Sequence, residues 1–365
     1  MESKKRVVIS GYYGFDNTGD EAVLFSIIQA LYKECKKGSL EITVLSNQPE
    51  KTTRTYDVKA INRWDIKQVY GAIKNCDLLI SGGGSLLQDV TGNKTVPYYL
   101  LVIKTAQLLR KEIVFYAQGY GPVNKRYSKF LIQKTLNKVE HIFVRDKDSQ
   151  KGLKEIGITK VPIMVAADPV LGMETKKELP ATVTNVLALD AGKIRVGIYL
   201  RSWNNDHLLI DKIHQLCSLL VKEKINIYFI PMQQPEDAFF LKGISLEVFG
   251  GRSITEPLDV EEVFTLTGEM DLVIGMRLHA LIMATAQKVP VVALSYDPKV
   301  DAFMKMINNQ DCFNVQDFDP QEVAKSVRAQ IDNIKSGKEN IRYKRQALLE
   351  KVYEPAKRVR EILTK

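Results

Sequence analysis

The chain has 365 residues and a mass of 41.3 kDa, enough for two domains at roughly 150 residues each. Its 45% hydrophobic and 26% charged residues are a globular balance, which excludes a disordered chain or a fibre. Lys and Arg number 52 against 43 Asp and Glu, a net charge of +9, so anionic partners are expected: phosphorylated substrates, a membrane surface or nucleic acid.

The longest apolar runs, such as Val289–Leu294, fall far short of the about 20 residues that span a bilayer. Met1–Ser10 starts basic and passes directly into a strand, without the apolar core or cleavage site of a signal peptide. Cys35, Cys76, Cys217 and Cys312 form no Cys-x-x-Cys pair and read as free thiols of a reducing cytoplasm, without a structural zinc. No helix-turn-helix, zinc-finger spacing or aromatic RNP-like strand accompanies the basic charge, so nucleic acid is not an expected partner.

In chain order, Arg6–Ser10 reads as a strand, Gly11–Glu21 as a turn, and Glu21–Lys37 as a helix. The turn, Gly11-Tyr-Tyr-Gly-Phe-Asp-Asn-Thr-Gly-Asp-Glu21, lacks the GxGxxG of dinucleotide folds. Gly14 to Gly19 has phosphate-loop spacing, but Asp20-Glu21 stand where Lys-Ser/Thr should be and would face a nucleotide's phosphates with two carboxylates. Asn17–Asp20 reads as a helix cap, and Asp16 just before it is a candidate general base. Leu40–Leu45, Asp77–Ser81, Glu112–Ala117, His141–Val144 and Val161–Ala166 are further strands, mostly with helices between them. Continuous apolar strands separated by helices mean a parallel sheet covered on both faces.

Several strand ends carry unusual residues. Ser81-Gly-Gly-Gly-Ser85 reads equally as a tight turn and as backbone that a ligand can approach closely. Gln118–Pro122 is open in the same way. Asp146-Lys-Asp148 matches a metal-holding DxD, a common tripeptide, and Asp146 is better read as the cap of a helix over Lys147–Ile156. Arg145, at the carboxyl end of His141–Val144, is a candidate anion ligand. Asp168-Pro169 either pairs with such an arginine or starts a turn.

Met173–Lys193 holds charged and small residues without clear periodicity and reads as a linker. The alternation then restarts, with strands Arg195–Leu200, Ile225–Pro231, Leu272–Ile274 and Val289–Leu294 and helices Asp206–Lys224, Asp259–Leu266, Leu281–Lys288 and Pro320–Ser336. Two doubly wound α/β domains in series are expected, 1–173 and 193–340, facing each other across a cleft at their strand ends. Three strands of the second end in cations: Arg201, Arg277 with His279, and Lys299. Together they describe a pocket for a small, multiply charged anion, with arginine forks, a lysine point charge and a proton carrier near neutral pH. Arg277 and His279 are expected to share one side of an extended strand end. His141, His207 and His214 lack such company, and no metal-ligand spacing is convincing.

Lys335–Lys365 carries ten Lys and Arg against four Glu, a net of +6. Its helical pattern over 340–364 is expected to break near Pro355. Lys344, Lys351, Arg358 and Lys365 recur every seven residues and share a face, read first as solvated and second as a surface for anionic lipid.

These residues resemble the polysaccharide pyruvyltransferases, particularly the CsaB type of Gram-positive cell-wall assembly. The matching motifs are Gly11–Glu21, Ser81–Asp89, Val144-Arg145-Asp146, Ala167-Asp168-Pro169, Gly275–His279 and Tyr296–Lys299, in family order. Asp16-Asn17-Thr18 departs from the smaller, glycine-containing stretch expected there, which bears on acceptor preference. The resemblance implies a fold like that of the GT-B glycosyltransferases, with the tail 341–365 packing back on the first domain. It implies phosphoenolpyruvate as donor, and as acceptor N-acetylmannosamine of a lipid-linked secondary cell-wall polysaccharide precursor, giving a 4,6-linked pyruvyl ketal on which S-layer proteins anchor.

By motif, Arg145, Arg277, His279 and Lys299 look like the donor site. Arg201 and Asp16 are added by position, and Asp16, Asn17, Gly83, Gly84 and Ser85 are the expected acceptor side. The catalytic candidates are His279, Arg145, Lys299 and Asp16. The implied reaction needs no redox cofactor and no obligatory metal. A lipid-linked acceptor places it in the cytoplasm, at the inner face of the cytoplasmic membrane. The rival readings are a GT-B glycosyltransferase using a sugar nucleotide and a non-catalytic sugar-phosphate-binding module.

Overall fold

A computed structural model describes residues 4–36, 38–90, 92, 94–203, 206–247 and 251–364. Met1–Ser3 at the chain start, Lys37 at the expected end of the first helix, and Lys365 of the heptad row lie outside the described residues. The first half runs β1 (Lys5–Ser10), α1 (Thr18–Cys35), β2 (Leu40–Ser46), α2 (Pro49–Tyr56), β3 (Lys59–Asn62), α3 (Ile66–Asn75), β4 (Leu78–Ser81), β5 (Gly84–Leu87), α4 (Thr95–Leu108), β6 (Glu112–Tyr120), α5 (Arg126–Leu136), β7 (His141–Val144), α6 (Lys147–Glu155) and β8 (Ile163–Val165), then a 3-10 turn at Pro169–Gly172. The second half runs α7 (Ala181–Ala188), β9 (Arg195–Tyr199), α8 (Asp206–Lys222), β10 (Asn226–Phe229), α9 (Glu236–Glu247), β11 (Arg252–Ser253), α10 (Val260–Gly268), β12 (Leu272–Gly275), α11 (Leu278–Ala286), β13 (Val291–Ser295), α12 (Pro298–Met306), β14 (Cys312–Asn314), α13 (Pro320–Asp332) and α14 (Ile334–Leu363).

The chain forms two compact units. One comprises Met1–Asp16, Asp20–Met173 and Leu348–Lys365, the other Asn17–Gly19 and Glu174–Ala347. Each holds one parallel sheet. The first has eight strands ordered β3-β2-β1-β4-β6-β7-β8, with β5 on β6; the second has six ordered β11-β10-β9-β12-β13-β14. In both, the order reverses beside the unit's opening strand, between β1 and β4 and between β9 and β12. Ligands of open α/β sheets bind at such switch points, outside the carboxyl ends of the strands.

Strand interiors are apolar on both faces because helices cover both. Leu79, Phe115, Ile103 and Leu136 share one core in the first unit, and Ile198, Phe229, Leu216 and Val292 share one in the second. Helix starts follow from short polar caps: Asp65, Asp146, Asp259, Asp297 and Asp319 each accept backbone N–H bonds from the following turn, and Asp259 with Glu262 forms a capping box.

Four expectations need correction. The stretch read as a linker contains α7, whose Val183 and Leu187 are buried; two apolar positions in a short helix leave little periodicity to read. Proline does not break the tail. Helix α14 runs through Pro355, whose flanking Val352, Ala356, Val359 and Leu363 are buried in the first unit. Packing of that face outweighs the roughly 3 kcal/mol that an interior proline costs. Strands β3, β5, β11 and β14 add to those expected, and β3, β11 and β14 are short, half-exposed edge strands without an apolar run. Finally, β12 ends at Gly275 and α11 begins at Leu278, so Arg277 is a helix N-cap and His279 lies in a helical first turn, not on an extended strand end.

Candidate active site

At the carboxyl edge of the first sheet, the loop after β1 is fixed from several sides. The Glu21 carboxylate reaches back to accept the Gly14 N–H at 2.7 Å and the Tyr56 hydroxyl at 2.5 Å. Burial raises the pKa of Glu21, against the opposing effect of those bonds. Gly14 has φ 77, and a side chain there would strike Ser46 and the Asn47 backbone. Buried Arg63, past the end of β3, donates to the Gly11 carbonyl at 2.8 Å and lies within 5.1 Å of the Phe15 ring and 4.4 Å of the Tyr98 ring. Sequence reasoning missed Arg63, because only the parallel pairing of β3 brings it to this edge.

Asp16, the candidate base, sits at φ 57 and pairs with Lys51 Nζ at 2.5 Å and Gln48 Nε2 at 3.0 Å. Its partial burial favours the protonated form, but the hydrogen bonds from Lys51 and Gln48 outweigh that and hold the carboxyl below its ordinary value. The group is therefore ionised and weakly basic.

Gly82–Gly83 turn the chain from β4 into β5. A Cβ at Gly83 would lie 2.7 Å from Val23 Cγ1, and Gly84 has φ 87, so close packing and backbone shape both require glycine here. Ser85 and Arg145 are brought together: Arg145 Nη2 donates to Ser85 Oγ at 2.9 Å. The guanidinium is 5% exposed and lies 3.5 Å from Asp146 and 3.7 Å from Asp168. Its arrival is permitted by Gly119, whose Cβ would sit 2.6–2.8 Å from the guanidinium. Asp146 and Asp168 also cap their helices, accepting from Ser149 N and Val170 N. Asp168 thus serves both roles weighed for it.

The carboxyl edge of the second sheet is built differently. Arg201 leaves β9 with its guanidinium 5.3 Å from the Tyr296 ring and Nη1 donating to the Tyr296 hydroxyl at 3.3 Å. Lys299 Nζ lies 5.9 Å from the same ring, and Trp203 packs on it at 4.7 Å. Two of the expected cations therefore converge on one tyrosine. Lys299 is 3.2 Å from Asp297, the cap of its own helix, whereas Arg201 meets no carboxylate among the described residues.

Arg277 binds Asp237 of α9 through two nitrogens, Nε at 3.1 Å and Nη2 closer still. Asp237 is 2% exposed and also accepts the N–H groups of Met232 and Gln233. The same segment engages the start of the α1 sequence that belongs to this unit. Thr18 N donates to the Met232 carbonyl at 2.8 Å, and Asn17 bridges Gln233. Asn17 Oδ1 caps Gly19 N at 3.0 Å. Gly19 is the contact surface for His279: a Cβ there would lie 2.3 Å from His279 Nδ1. The loop Met232–Asp237 thus organises Arg277, Asn17 and Gly19 together, and no sequence signal marks it.

One further group departs from the sequence reading. His141 has company in the fold, Glu112 and Glu140, with ligand atoms within 4.8 Å of one another. They lie at the starts of β6 and β7, the edge opposite the carboxyl ends, and both acids are exposed.

Known proteins bear on this geometry. Among solved structures the chain is similar to Anabaena HepE in complex with UDP-glucose, with 14% identity over 98% of this chain and 99% of that one and a TM-score of 0.65. It is also similar to a glycosyltransferase from Rickettsia africae (12% identity, 99% of each chain, TM-score 0.62). A third likeness is to the UDP-GlcNAc 2-epimerase from Neisseria meningitidis bound to UDP-GlcNAc (13% identity, 93% and 94%, TM-score 0.57). At these identities the likeness concerns the fold: a parallel α/β architecture of two doubly wound sheets, like that of GT-B enzymes. No curated protein sequence matches the chain. Residues 17–298 match the polysaccharide pyruvyl transferase model, a span from the Asn17 cap through the Arg277–His279 turn to the start of α12, and the chain belongs to that family.

Proposed function

We propose that the protein transfers the pyruvyl group of phosphoenolpyruvate to two hydroxyls of a sugar, forming a cyclic ketal and releasing phosphate. The observation that carries this reading is the grouping of Arg201 and Lys299 around Tyr296 at the carboxyl ends of β9 and β13, on either side of β12, whose end carries the Asp237-anchored Arg277. Phosphoenolpyruvate bears a phosphate and a carboxylate on a three-carbon skeleton, so several cations must meet it at once. Arg201, which meets no carboxylate among the described residues, offers its charge, and Lys299 joins it around Tyr296.

His279 is the proton carrier in this scheme. Protonation of the donor's methylene carbon makes C2 electrophilic, a sugar hydroxyl attacks C2, and the hydroxyl proton passes to a base. Phosphate leaves by C–O cleavage under the cations, carrying off the first hydroxyl's proton, and the second hydroxyl closes the ketal as its own proton returns to the carrier. Arg277, anchored by Asp237, holds its fork at the start of α11 two residues before His279. Arg145 is already engaged by Ser85, Asp146 and Asp168, and we assign it to ordering the Ser85 loop. Asp16, paired with Lys51, is assigned to acceptor positioning with Asn17, Gly83 and Gly84, not to proton abstraction.

For the acceptor we propose the CsaB-type substrate, N-acetylmannosamine of a lipid-linked cell-wall precursor used in S-layer anchoring, met at the inner membrane face. The chemistry calls for no redox cofactor and no metal. Incubation with phosphoenolpyruvate and a panel of amino-sugar acceptors, followed by phosphate release and mass spectrometry, tests the reading. Ketal formation on an N-acetylmannosamine acceptor is expected. Tight UDP binding without any response to phosphoenolpyruvate would replace it with a sugar-nucleotide glycosyltransferase.

A further inference from the structure

The helices α4 and α5 of the first unit lie side by side on one face of its sheet. Both crossovers run the same way across the sheet, β5 to β6 and β6 to β7, and both helices bury residues in one shared core. Gln107 Nε2 of α4 bonds the Thr135 carbonyl of α5 at 2.9 Å. Each helix turns an apolar stripe outward. On α4, Leu101 and Leu108 are 64% and 84% exposed; on α5, Tyr127 and Phe130 are 66% and 52% exposed. Lys104 lies between the two leucines at helical spacing, and Lys134 follows Phe130 with its ammonium 5.4 Å from that ring.

The sequence segment that carries these stripes is one-sided in charge. Val90–Lys138 contains nine Lys and Arg and a single acid, Glu112, a net of +8 against +9 for the whole chain. The basic tail differs in that several of its cations are engaged, although Lys351 and Lys357 meet no carboxylate among the described residues. There Arg360 pairs with Glu34, Arg358 with Glu361, Lys338 with Asp271, and Lys344 donates to the Asn308 carbonyl. No ion pair to Lys104, Arg126, Lys129 or Lys134 occurs among the described residues.

We infer that the α4–α5 face, not the tail, is a docking surface for an anionic lipid bilayer. Large exposed side chains flanked by unpaired cations match the two components of such a surface: apolar insertion at headgroup depth and attraction to anionic lipid. A polyanion such as nucleic acid would use the lysines but leave the leucines and Phe130 without a role. The inference concerns where the protein sits and holds whichever sugar it modifies.

The test is co-sedimentation of the full chain with phosphatidylglycerol-containing vesicles and with pure phosphatidylcholine vesicles, at low and high salt. Binding to the anionic vesicles that weakens with salt is expected. Each neutralised lysine near an anionic surface is worth about fivefold in affinity, so Lys104→Ala with Lys134→Ala should weaken it roughly thirtyfold. Leu108→Ser with Phe130→Ser should also release the protein, while leaving its retention on heparin unchanged. The tail pair Lys351→Ala with Lys357→Ala should bind as the parent does. Melting temperatures of all variants, whose substituted groups are exposed, should stay at the parent value. Equal binding to both vesicle types, no binding to either, or loss of binding in the tail pair alone would overturn the inference. So would a dimer that the Leu108→Ser, Phe130→Ser pair converts to monomer, which assigns the face to self-association.

Discussion

The two sheets share a topology, yet their carboxyl edges differ in how much of their charge is compensated. In the first unit Arg145 is buried and flanked by Asp146 and Asp168, with glycines admitting the guanidinium and shaping the turn beside it. In the second, Arg277 is tied to Asp237 in the same manner, but Arg201 and Lys299 are half-exposed around Tyr296, and Arg201 has no carboxylate partner among the described residues. A buried, internally compensated cation is a structural tie. A half-exposed one backed by an aromatic ring is available to an incoming anion. Arginine at a strand end therefore does not by itself mean a ligand, and its acidic neighbours decide.

Four measurements can break or sharpen that contrast. The largest effect is expected at the proposed proton carrier. His279→Ala should lower kcat by about 10³-fold, while phosphoenolpyruvate affinity by calorimetry stays near the parent value because the cations remain. Next comes Arg145→Ala, which strands the buried Asp168 carboxylate and the partly buried Asp146. Urea unfolding should show a loss of about 3 kcal/mol, and a loss confined to activity would contradict the structural role.

Third is Gly19→Ala. The added methyl occupies the place of the His279 ring, and displacement of a catalytic group by about 1 Å can cost on the order of 10²-fold. A fall in kcat, measured at a temperature where the variant is fully folded, is expected beside a lowered melting temperature; unaltered kinetics would separate His279 from this contact. The smallest concerns a cation of the second unit that is locked. Hydrogen bonds from Arg252, together with that of Tyr228 and against burial, hold Asp190 at about 2, below its ordinary 3.8. A depressed folded pKa means stability present above the unfolded value and lost as pH falls toward 2. The stability difference between parent and Asp190→Asn should be constant above about pH 5 and shrink between about pH 4 and 2. A difference that does not change with pH would show that Arg252 is no tie.

Much of the architecture was legible because central parallel strands are apolar on both faces: β1, β2, β4, β7, β9 and β12 stand within a residue or two of their expected bounds. Edge strands β3 and β14 were not, since they are short and face water on one side, whereas the edge strand β8 was expected. The cations at strand ends were visible, as were the Asp146 cap and the glycine-rich turn. Their partners were not. Asp237 lies 40 residues from Arg277, and Lys51 lies 35 from Asp16, distances over which only the folded chain sets neighbours. The turn at Met276–Arg277 was misread although Gly275 stands at its start, because Arg277 is not a usual capping residue and makes no side-chain cap bond to mark where the helix starts.

The double membership of α14 bears on synthesis. Leu348–Lys365 supplies Val352, Ala356, Val359 and Leu363 to the core of the unit that the chain begins at its amino terminus. A ribosome adding roughly 5–20 residues per second needs about ten seconds to half a minute to pass from the end of that unit's main segment at Met173 to its last piece. Throughout that interval the nascent first unit shows an uncovered apolar strip where the tail will lie. The unit started first is completed last, and a chain truncated before Leu348 would emerge with that strip permanently open.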